Sequence, residues 1–170
     1  KDHGLPEELK VLLALESAYN PNARSKAGAV GYWQLMDNVA KEYGMKIAQI
    51  QARQKRNKGS KRIKNKSVAR RRMVDDRKNF IKSTTAAARY LCDRRRNLND
   101  NWLLMVASYN CGVGNVWKAM EKSGVENPTF WDIKDDLPAE TRAYVMNFIA
   151  LNVIFANYDN FINNNLVFKE

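Results

Sequence analysis

The chain has 170 residues, enough for one compact domain that buries about two-thirds of the surface exposed by its unfolded form. Hydrophobic residues make up 45% of it and charged residues 28%, which excludes a wholly disordered chain. No apolar run approaches the roughly 20 residues of a membrane helix, and the N-terminal KDHGLPEELK has no signal-peptide core. The sequence predicts a globular domain, either cytosolic or without its targeting segment.

The net charge of +11 is concentrated in one segment. Residues 53–78, which begin with Arg53 and end with Lys78, hold thirteen Lys and Arg against two Asp, and the other sixteen basic and sixteen acidic residues cancel. Such a segment can bind nucleic acid, but here no aromatic residue precedes Phe80 on which a base could stack. We therefore predict no nucleic-acid partner and interpret about 50–78 as an exposed insertion that attracts anionic polymers or a partner.

Helical patterns account for most of the remaining chain. The run PEELKVLLALESAY predicts a helix ended by Pro21, and a loop with Gly28 and Gly31 leads into a second helix, YWQLMDNVAKEY. Further helices are predicted after Ser83 as N-cap, over NWLLMVASYN, over NVWKAM, and from Pro138 through AETRAYVMNFIALNVIFANY. Without a period-two strand pattern, these indicate an all-α domain of six to eight helices.

Metal and cofactor chemistry has few candidate ligands. His3 is the only histidine and lies near the chain end, and Cys92 and Cys111 are too few for a zinc site. We predict no metal and no cofactor. The two cysteines are either small buried helix residues or a disulfide formed in an oxidising compartment.

Glu16 is the first candidate for chemistry, because it continues the apolar stripe of Leu9, Leu12 and Leu13 at helical spacing. An inward carboxyl loses hydration, its pKa rises, and it keeps a proton to donate near neutral pH. The alternative is a helix-end glutamate that pairs with a basic side chain or reaches water.

Three segments in order carry a family resemblance: ALESAYNPNARSKAGAVGYWQLM, STTAAARYL with ASYNCGVGNV, and LPAETRAYV. They resemble the soluble lytic transglycosylase (SLT) family, whose fold is the lysozyme-like, goose-type helical domain, and among its subfamilies the membrane-bound type D group. The matches run from about residue 5 to 154, and the basic segment is the main part left over. The resemblance implies one catalytic domain over residues 1–170.

When the family's motifs are aligned with this sequence, the resemblance assigns the role of catalytic acid and base to Glu16. It assigns substrate contacts or cleft positions to the residues that follow the same motifs: Ser25, Gln34, Tyr109, Asn110, Glu140 and Tyr144. Tyr144 is expected to position the catalytic carboxyl, and Ser25 to lie near the N-acetyl group of the sugar. For each of these six the alternative is ordinary packing or capping, and Asn110 in particular could simply end a helix.

The sequence departs from the family pattern at three places. Asp37 stands where proline is frequent, Tyr32 where leucine or methionine is usual, and Cys111 where alanine is usual. None removes a catalytic group, so these departures bear on subsite preference rather than on activity.

The implied reaction is cleavage of the β-1,4 bond between N-acetylmuramic acid and N-acetylglucosamine in peptidoglycan, with formation of a 1,6-anhydromuramic end. The alternatives are a hydrolytic lysozyme of the same fold and a catalytically silent peptidoglycan-binding module. The resemblance also implies a monomer in the bacterial envelope, periplasmic or anchored to the membrane through a segment outside this chain. There the basic segment would contact anionic cell-wall polymers or an envelope partner.

Overall fold

A computed structural model describes residues 4–47, 74–163 and 165. Within these ranges the chain is helical, with two isolated antiparallel bridges, Arg24 with Val30 and Val30 with Leu35, and no strand. The α-helices are α1 (Val11–Ser17), α2 (Asp37–Glu42), α3 (Phe80–Asn97), α4 (Trp102–Cys111), α5 (Val113–Ser123), α6 (Phe130–Ile133), α7 (Ala139–Ala156) and α8 (Tyr158–Ile162). Short 3-10 helices cover Glu7–Lys10, Asp76–Lys78 and Lys134–Asp136. The predicted all-α class is confirmed.

The core is built around α4, which packs against α3, α5, α6 and α7. Four successive α4 residues, Leu104 to Ala107, are almost fully buried, as expected of a helix that is apolar on every side. Helix α1 packs on α7, and the apolar stripe that runs from the preceding 3-10 helix into α1 is buried at Leu9, Leu12 and Leu13. These contacts bring the end of α1 beside the second turn of α7, at Tyr144, and near the end of α4, at Tyr109.

Several predicted boundaries are wrong. Helix α1 ends at Ser17, four residues before Pro21, because Ala18 and Tyr19 take left-handed backbone angles (φ 47° and 62°). Helix α3 begins at Phe80, and its N-cap is Asn79, whose side chain accepts a hydrogen bond from the Lys82 amide. Ser83 is instead buried one turn inside that helix. Helical periodicity alone does not show which polar residue caps a helix.

The second predicted helix is also shorter than its pattern suggests. It begins at Asp37, because residues 32–34 form a turn and the Val30 amide donates to the Leu35 carbonyl. Gln34 has a left-handed backbone (φ 44°) within that turn. We call residues 18–36 the glycine loop.

Most of the predicted basic insertion lies outside the described residues, but residues 74–78 are described, and of these only Val74 is exposed. Asp76 and Arg77 are both 3% exposed, and the main chains of Asp76 and Lys46 are joined by a hydrogen bond of 2.8 Å. The prediction that the insertion reaches residue 78 is therefore wrong, because residues 75–78 pack into the fold. Cys92 and Cys111 are half-buried and not joined by a disulfide.

Gly31 is the point of closest approach between the glycine loop and this returning segment. Its φ is 85°, and a Cβ at this position would lie 2.1 Å from the Arg77 carbonyl oxygen. A left-handed angle favours glycine, and a backbone atom so near excludes any other residue without movement.

We expect Gly31→Ala to lower the free energy of unfolding by at least about 2 kcal/mol, measured by urea denaturation. Gly28→Ala is the matched control, because Gly28 has a similar φ of 96° but nothing within 4 Å of the added Cβ. The control bears only the backbone strain, about 1 kcal/mol. Equal losses in the two variants would show that the loop moves freely away from Arg77.

Candidate active site

Glu16 lies in the last turn of α1, on the same stripe as the buried Leu12 and Leu13, and its side chain is half-buried. Burial raises the pKa of Glu16 to about 7, and a hydrogen bond from Tyr144 partly opposes that rise. At neutral pH both the acid and the carboxylate are therefore populated. This is the state required of a group that must first give and then take a proton.

Two tyrosines surround this carboxyl group. The Tyr144 hydroxyl, from α7, donates to Glu16 Oε1 over 2.5 Å. The half-buried Tyr109, from α4, donates its hydroxyl to the Trp33 carbonyl over 2.7 Å. Burial and the nearby Glu16 charge raise the pKa of both tyrosines above the usual value, so both remain protonated donors.

The end of α1 is tied to the glycine loop. The Ser17 hydroxyl donates to the Tyr32 carbonyl over 2.8 Å, directly after Glu16 in the chain. Trp33 is 5% exposed and its indole nitrogen donates to Thr84 Oγ1 over 2.9 Å. The catalytic candidate is thus held between α7 on one side and a loop anchored to α3 on the other.

Gln34 and Ser25 lie in the glycine loop, where both fold the loop itself. The Gln34 amide donates to the carbonyls of Ala23 (3.1 Å) and Gly31 (2.9 Å). Ser25 is exposed, and its hydroxyl accepts from the Ala29 amide over 3.0 Å. These contacts support the packing alternative for Gln34, whereas the exposed Ser25 keeps a hydroxyl that a ligand can reach.

The other two predicted contacts lie where α4 and α7 meet. Asn110 Oδ1 accepts from the hydroxyl of the buried Thr141 over 2.8 Å, so Asn110 joins the end of α4 to the start of α7. Glu140 is exposed in the first turn of α7, one helical turn before Tyr144 and on the same face. The structure therefore gathers Glu16, Tyr109 and Tyr144 in one cluster, with Asn110 as a packing residue.

Sequence reasoning missed a buried ionic cluster behind the glycine loop. The Arg77 guanidinium makes a two-point contact with Asp75 (2.9 and 2.8 Å), a short contact with Asp37, and a hydrogen bond of 3.3 Å to the Leu35 carbonyl. The side chains of Arg77 and Asp75 are each 4% exposed. Asp37 occupies the first position of α2, where both proline and an acidic residue are favoured. Its ionic partner there is Arg77.

Signals for these missed residues were weak in the sequence. Arg77 is one of thirteen basic residues in residues 53–78, so the composition of that segment predicts a solvated surface. Ser17, Trp33 and Thr141 bond to main-chain or distant side-chain atoms, and their partners lie from 15 to 51 residues away. The unusual Asp37 was the one visible hint of a cation nearby.

The fold and site define a class of protein: a helical, lysozyme-like domain with a half-buried acid at the end of a helix, under a tyrosine hydroxyl. The sequence profile of the Transglycosylase SLT domain matches residues 1–129. The chain therefore belongs to the Transglycosylase SLT domain family.

Individual relatives agree with this assignment. The chain is 34% identical over 159 residues to the membrane-bound lytic murein transglycosylase D of Escherichia coli K12, covering 92% of this chain and 30% of that protein. It is 26% identical over 131 residues to a putative tributyltin chloride resistance protein of Alteromonas sp. strain M-1, covering 76% of this chain and 52% of that protein.

One solved structure supports the fold. The X-ray structure of the lytic transglycosylase Slt of Pseudomonas aeruginosa, determined as an inactive mutant, superposes with a TM-score of 0.65. Its sequence identity is 23%, and it covers 94% of this chain and 23% of that one. The predicted lysozyme-like fold is confirmed.

The raised pKa of Glu16 predicts a pH-dependent stability that needs no substrate. The folded-state pKa of about 7 exceeds the unfolded value of 4.5, so the folded protein binds the Glu16 proton more tightly than the unfolded chain does. The stabilisation of the fold by this proton is fully present below pH 4.5 and is lost as pH rises through 7. We expect Glu16→Gln to be more stable than wild type at pH 8 by up to roughly 3 kcal/mol, and the gain to shrink towards pH 4.5. Denaturant titrations at pH 4.5, 6 and 8 measure this, and a constant difference would show an unshifted carboxyl.

Tyr144→Phe tests the hydrogen bond on that carboxyl. Because the bond lowers the pKa of Glu16 and burial raises it, its removal should raise that pKa above 7. Titration of the carboxyl by carbon-13 NMR measures the change. Tyr158→Phe, which removes an exposed hydroxyl in α8, should leave the titration unchanged, and a fall in the pKa of Glu16 in Tyr144→Phe would contradict the assignment.

Proposed function

We propose that this domain is a peptidoglycan lytic transglycosylase that cleaves between N-acetylmuramic acid and N-acetylglucosamine and forms a 1,6-anhydromuramic end. The observation that carries the proposal is Glu16, a half-buried carboxyl with a pKa of about 7 under the Tyr144 hydroxyl. The chain spans only 30% of the length of the type D relative, so the activity of any longer protein belongs to the same proposal.

In this reaction Glu16 acts twice. The protonated carboxyl donates to the glycosidic oxygen, and the N-acetyl group of the muramic residue stabilises the positive charge that develops at the anomeric carbon. The resulting carboxylate then takes the proton of the muramic C6 hydroxyl, whose oxygen closes the anhydro ring. No water is consumed, and Glu16 returns to its acid form.

The electrostatics support a mechanism with one carboxyl group. Ordinary glycosidases place a second carboxylate across the scissile bond, about 5 to 9.5 Å away. A carboxylate so close would raise the pKa of Glu16, yet among the described residues only burial and Tyr144 shift it. A substrate that supplies its own hydroxyl needs no second carboxylate.

Two alternatives keep the same fold. A hydrolytic muramidase would admit water to the intermediate and is separated from a transglycosylase by its products. A silent binding module has no need of a desolvated acid, and burial of such a carboxyl costs stability. The shifted pKa of Glu16 therefore favours an enzyme.

The proposed setting is the bacterial envelope, where the domain acts as a monomer on glycan strands, either in the periplasm or near a membrane. Its type D relative is named as membrane-bound. In the described part of this chain, no helix is long and apolar enough to cross a membrane. Residues 53–73 lie outside the described residues, and their proposed partners are anionic cell-wall polymers or an envelope protein rather than nucleic acid.

Mass spectrometry of the fragments released from purified peptidoglycan tests the reaction. We expect anhydromuropeptides from wild type and a loss of roughly 100- to 10,000-fold in Glu16→Gln, which keeps the shape but cannot donate the proton. Glu8→Gln, an exposed carboxylate on the same N-terminal segment, should keep full activity. Reducing-end products would instead identify a hydrolase, and no products from wild type would favour a binding module.

A further inference from the structure

A cavity of about 350 Å³ lies beside the outward face of α3. Its walls come from residues 43–46, which follow α2, and from α3 with the segment before it. On α3 the lining residues Ile81, Thr85 and Arg89 follow one another at four-residue spacing, so they share one face of the helix, and all three are exposed. None of the lining residues belongs to the cluster around Glu16, so this cavity is separate from the candidate active site.

The lining of this cavity is positively charged. Three cations line it, Lys46, Lys82 and Arg89, against one carboxylate, Asp76. Asp76 is 3% exposed and is already bonded, since it accepts from the Lys82 ammonium over 2.7 Å and from the Lys46 main-chain amide over 2.9 Å. The bond from Lys82 holds the pKa of Asp76 below its usual value, so this carboxylate stays ionised and paired. The charges of Lys46 and Arg89 remain available at the cavity.

Arg89 is placed at the cavity by an aromatic ring. Its guanidinium lies over Tyr43, 5.7 Å from the ring centroid, and the Tyr43 hydroxyl donates to Asp93 over 2.6 Å. A guanidinium presents a planar fork of N–H donors that matches the oxygens of a phosphate group. Together with the ammonium group of Lys46, it supplies charged donors for one phosphate.

Exposed apolar side chains lie in the same segment as these cations. Ile81, which lines the cavity, is 76% exposed, and Val74 and Phe80, which precede it in the chain, are 60% and 49% exposed. A soluble anion would gain nothing from a large apolar side chain at the edge of its site. Exposed apolar groups beside several cations are instead typical of a surface that binds an anionic bilayer.

We propose that this surface binds anionic phospholipid, with the head-group phosphate in the cavity beside Lys46 and Arg89 and with Ile81 in the interfacial layer. The charge of the surface is complementary to that of an anionic leaflet, which attracts basic side chains that come within a Debye length of it. The inference goes beyond the proposed reaction and does not depend on it, because no residue of the surface takes part in proton transfer.

Sedimentation with vesicles of phosphatidylglycerol and phosphatidylethanolamine in equal parts tests the charged part of the surface. The double variant Lys46→Gln with Arg89→Gln should bind about 10- to 30-fold more weakly than wild type, since each cation near an anionic leaflet contributes about fivefold. Both side chains are exposed, and Lys46→Gln keeps the main-chain amide that donates to Asp76, so the variant should fold.

The matched control is Lys26→Gln with Lys118→Gln, which removes two other exposed charges that do not line the cavity. It should stay within about twofold of wild type. The basic residues of 53–73 are present in every variant, so their attraction to the vesicles cancels in the comparison. Equal losses in the two double variants, or no binding by wild type, would overturn the proposal.

The apolar part of the surface separates lipid from a soluble anion. Ile81→Ser should weaken vesicle binding roughly fivefold, because an apolar side chain no longer enters the interface. Ile162→Ser, at a 58% exposed position on α8, should leave binding unchanged. Equal binding by these two variants, or displacement of the protein from vesicles by polyphosphate at the same phosphate concentration, would show a general anion site and overturn the lipid assignment.

Methyl NMR in the presence of a spin-labelled lipid locates the contact on the protein. The Ile81 signal should broaden and the Ile162 signal should not, and broadening of Ile162 alone would overturn the proposed surface. Glu16→Gln should bind vesicles as wild type does, because Glu16 lies outside the surface. The vesicle measurements therefore judge this inference even if the proposed reaction fails.

Discussion

The backbone contact between Gly31 and Arg77 fixes the position of the glycine loop, on which the candidate site depends. This loop has little regular structure of its own, and two bridges and several turn hydrogen bonds join its residues to one another. Gly31 allows the main chain of residue 77 to approach within a distance that any Cβ would block. The Arg77 side chain then reaches back to the Leu35 carbonyl and to Asp37 at the far end of the loop.

From this anchor the loop reaches the catalytic candidate through its carbonyl groups. Tyr32 and Trp33 present carbonyl oxygens that accept from Ser17 and Tyr109, the neighbours of Glu16 along the chain and in space. A shift of the loop would therefore move both the end of α1 and one of the two tyrosines beside the carboxyl. The position of Glu16 thus depends on residues 75–78, although no atom of that segment contacts the Glu16 carboxyl through a hydrogen bond.

The sequence predicts this structure best where the spacing of apolar residues is compatible with only one kind of secondary structure. The apolar stripe of α1 places Glu16 inward, Pro138 marks the start of α7, and the absence of alternating strands gives the all-α class. Boundaries were wrong where a left-handed residue or a side-chain cap decided them, as at Ala18 and Asn79, because these choices depend on contacts that periodicity does not encode. Arg77 was missed for the same reason: its burial is set by Asp75 and Asp37, and composition alone describes it as one cation among many.

Burial has opposite effects on the charge at two places in the domain, the Arg77 cluster and Glu16. At Arg77 the charge is kept, since two carboxylates and a carbonyl replace the water that is lost, and the pKa of Asp75 falls. At Glu16 the described residues supply a hydrogen bond from Tyr144, which only partly opposes the effect of burial, so the pKa of the acid rises to about 7. An arginine beside Glu16 would lower the pKa of the acid and remove its proton at pH 7. The ion pairs therefore lie around Arg77, and the carboxyl that can exchange its proton lies apart from them, beside the Tyr144 hydroxyl.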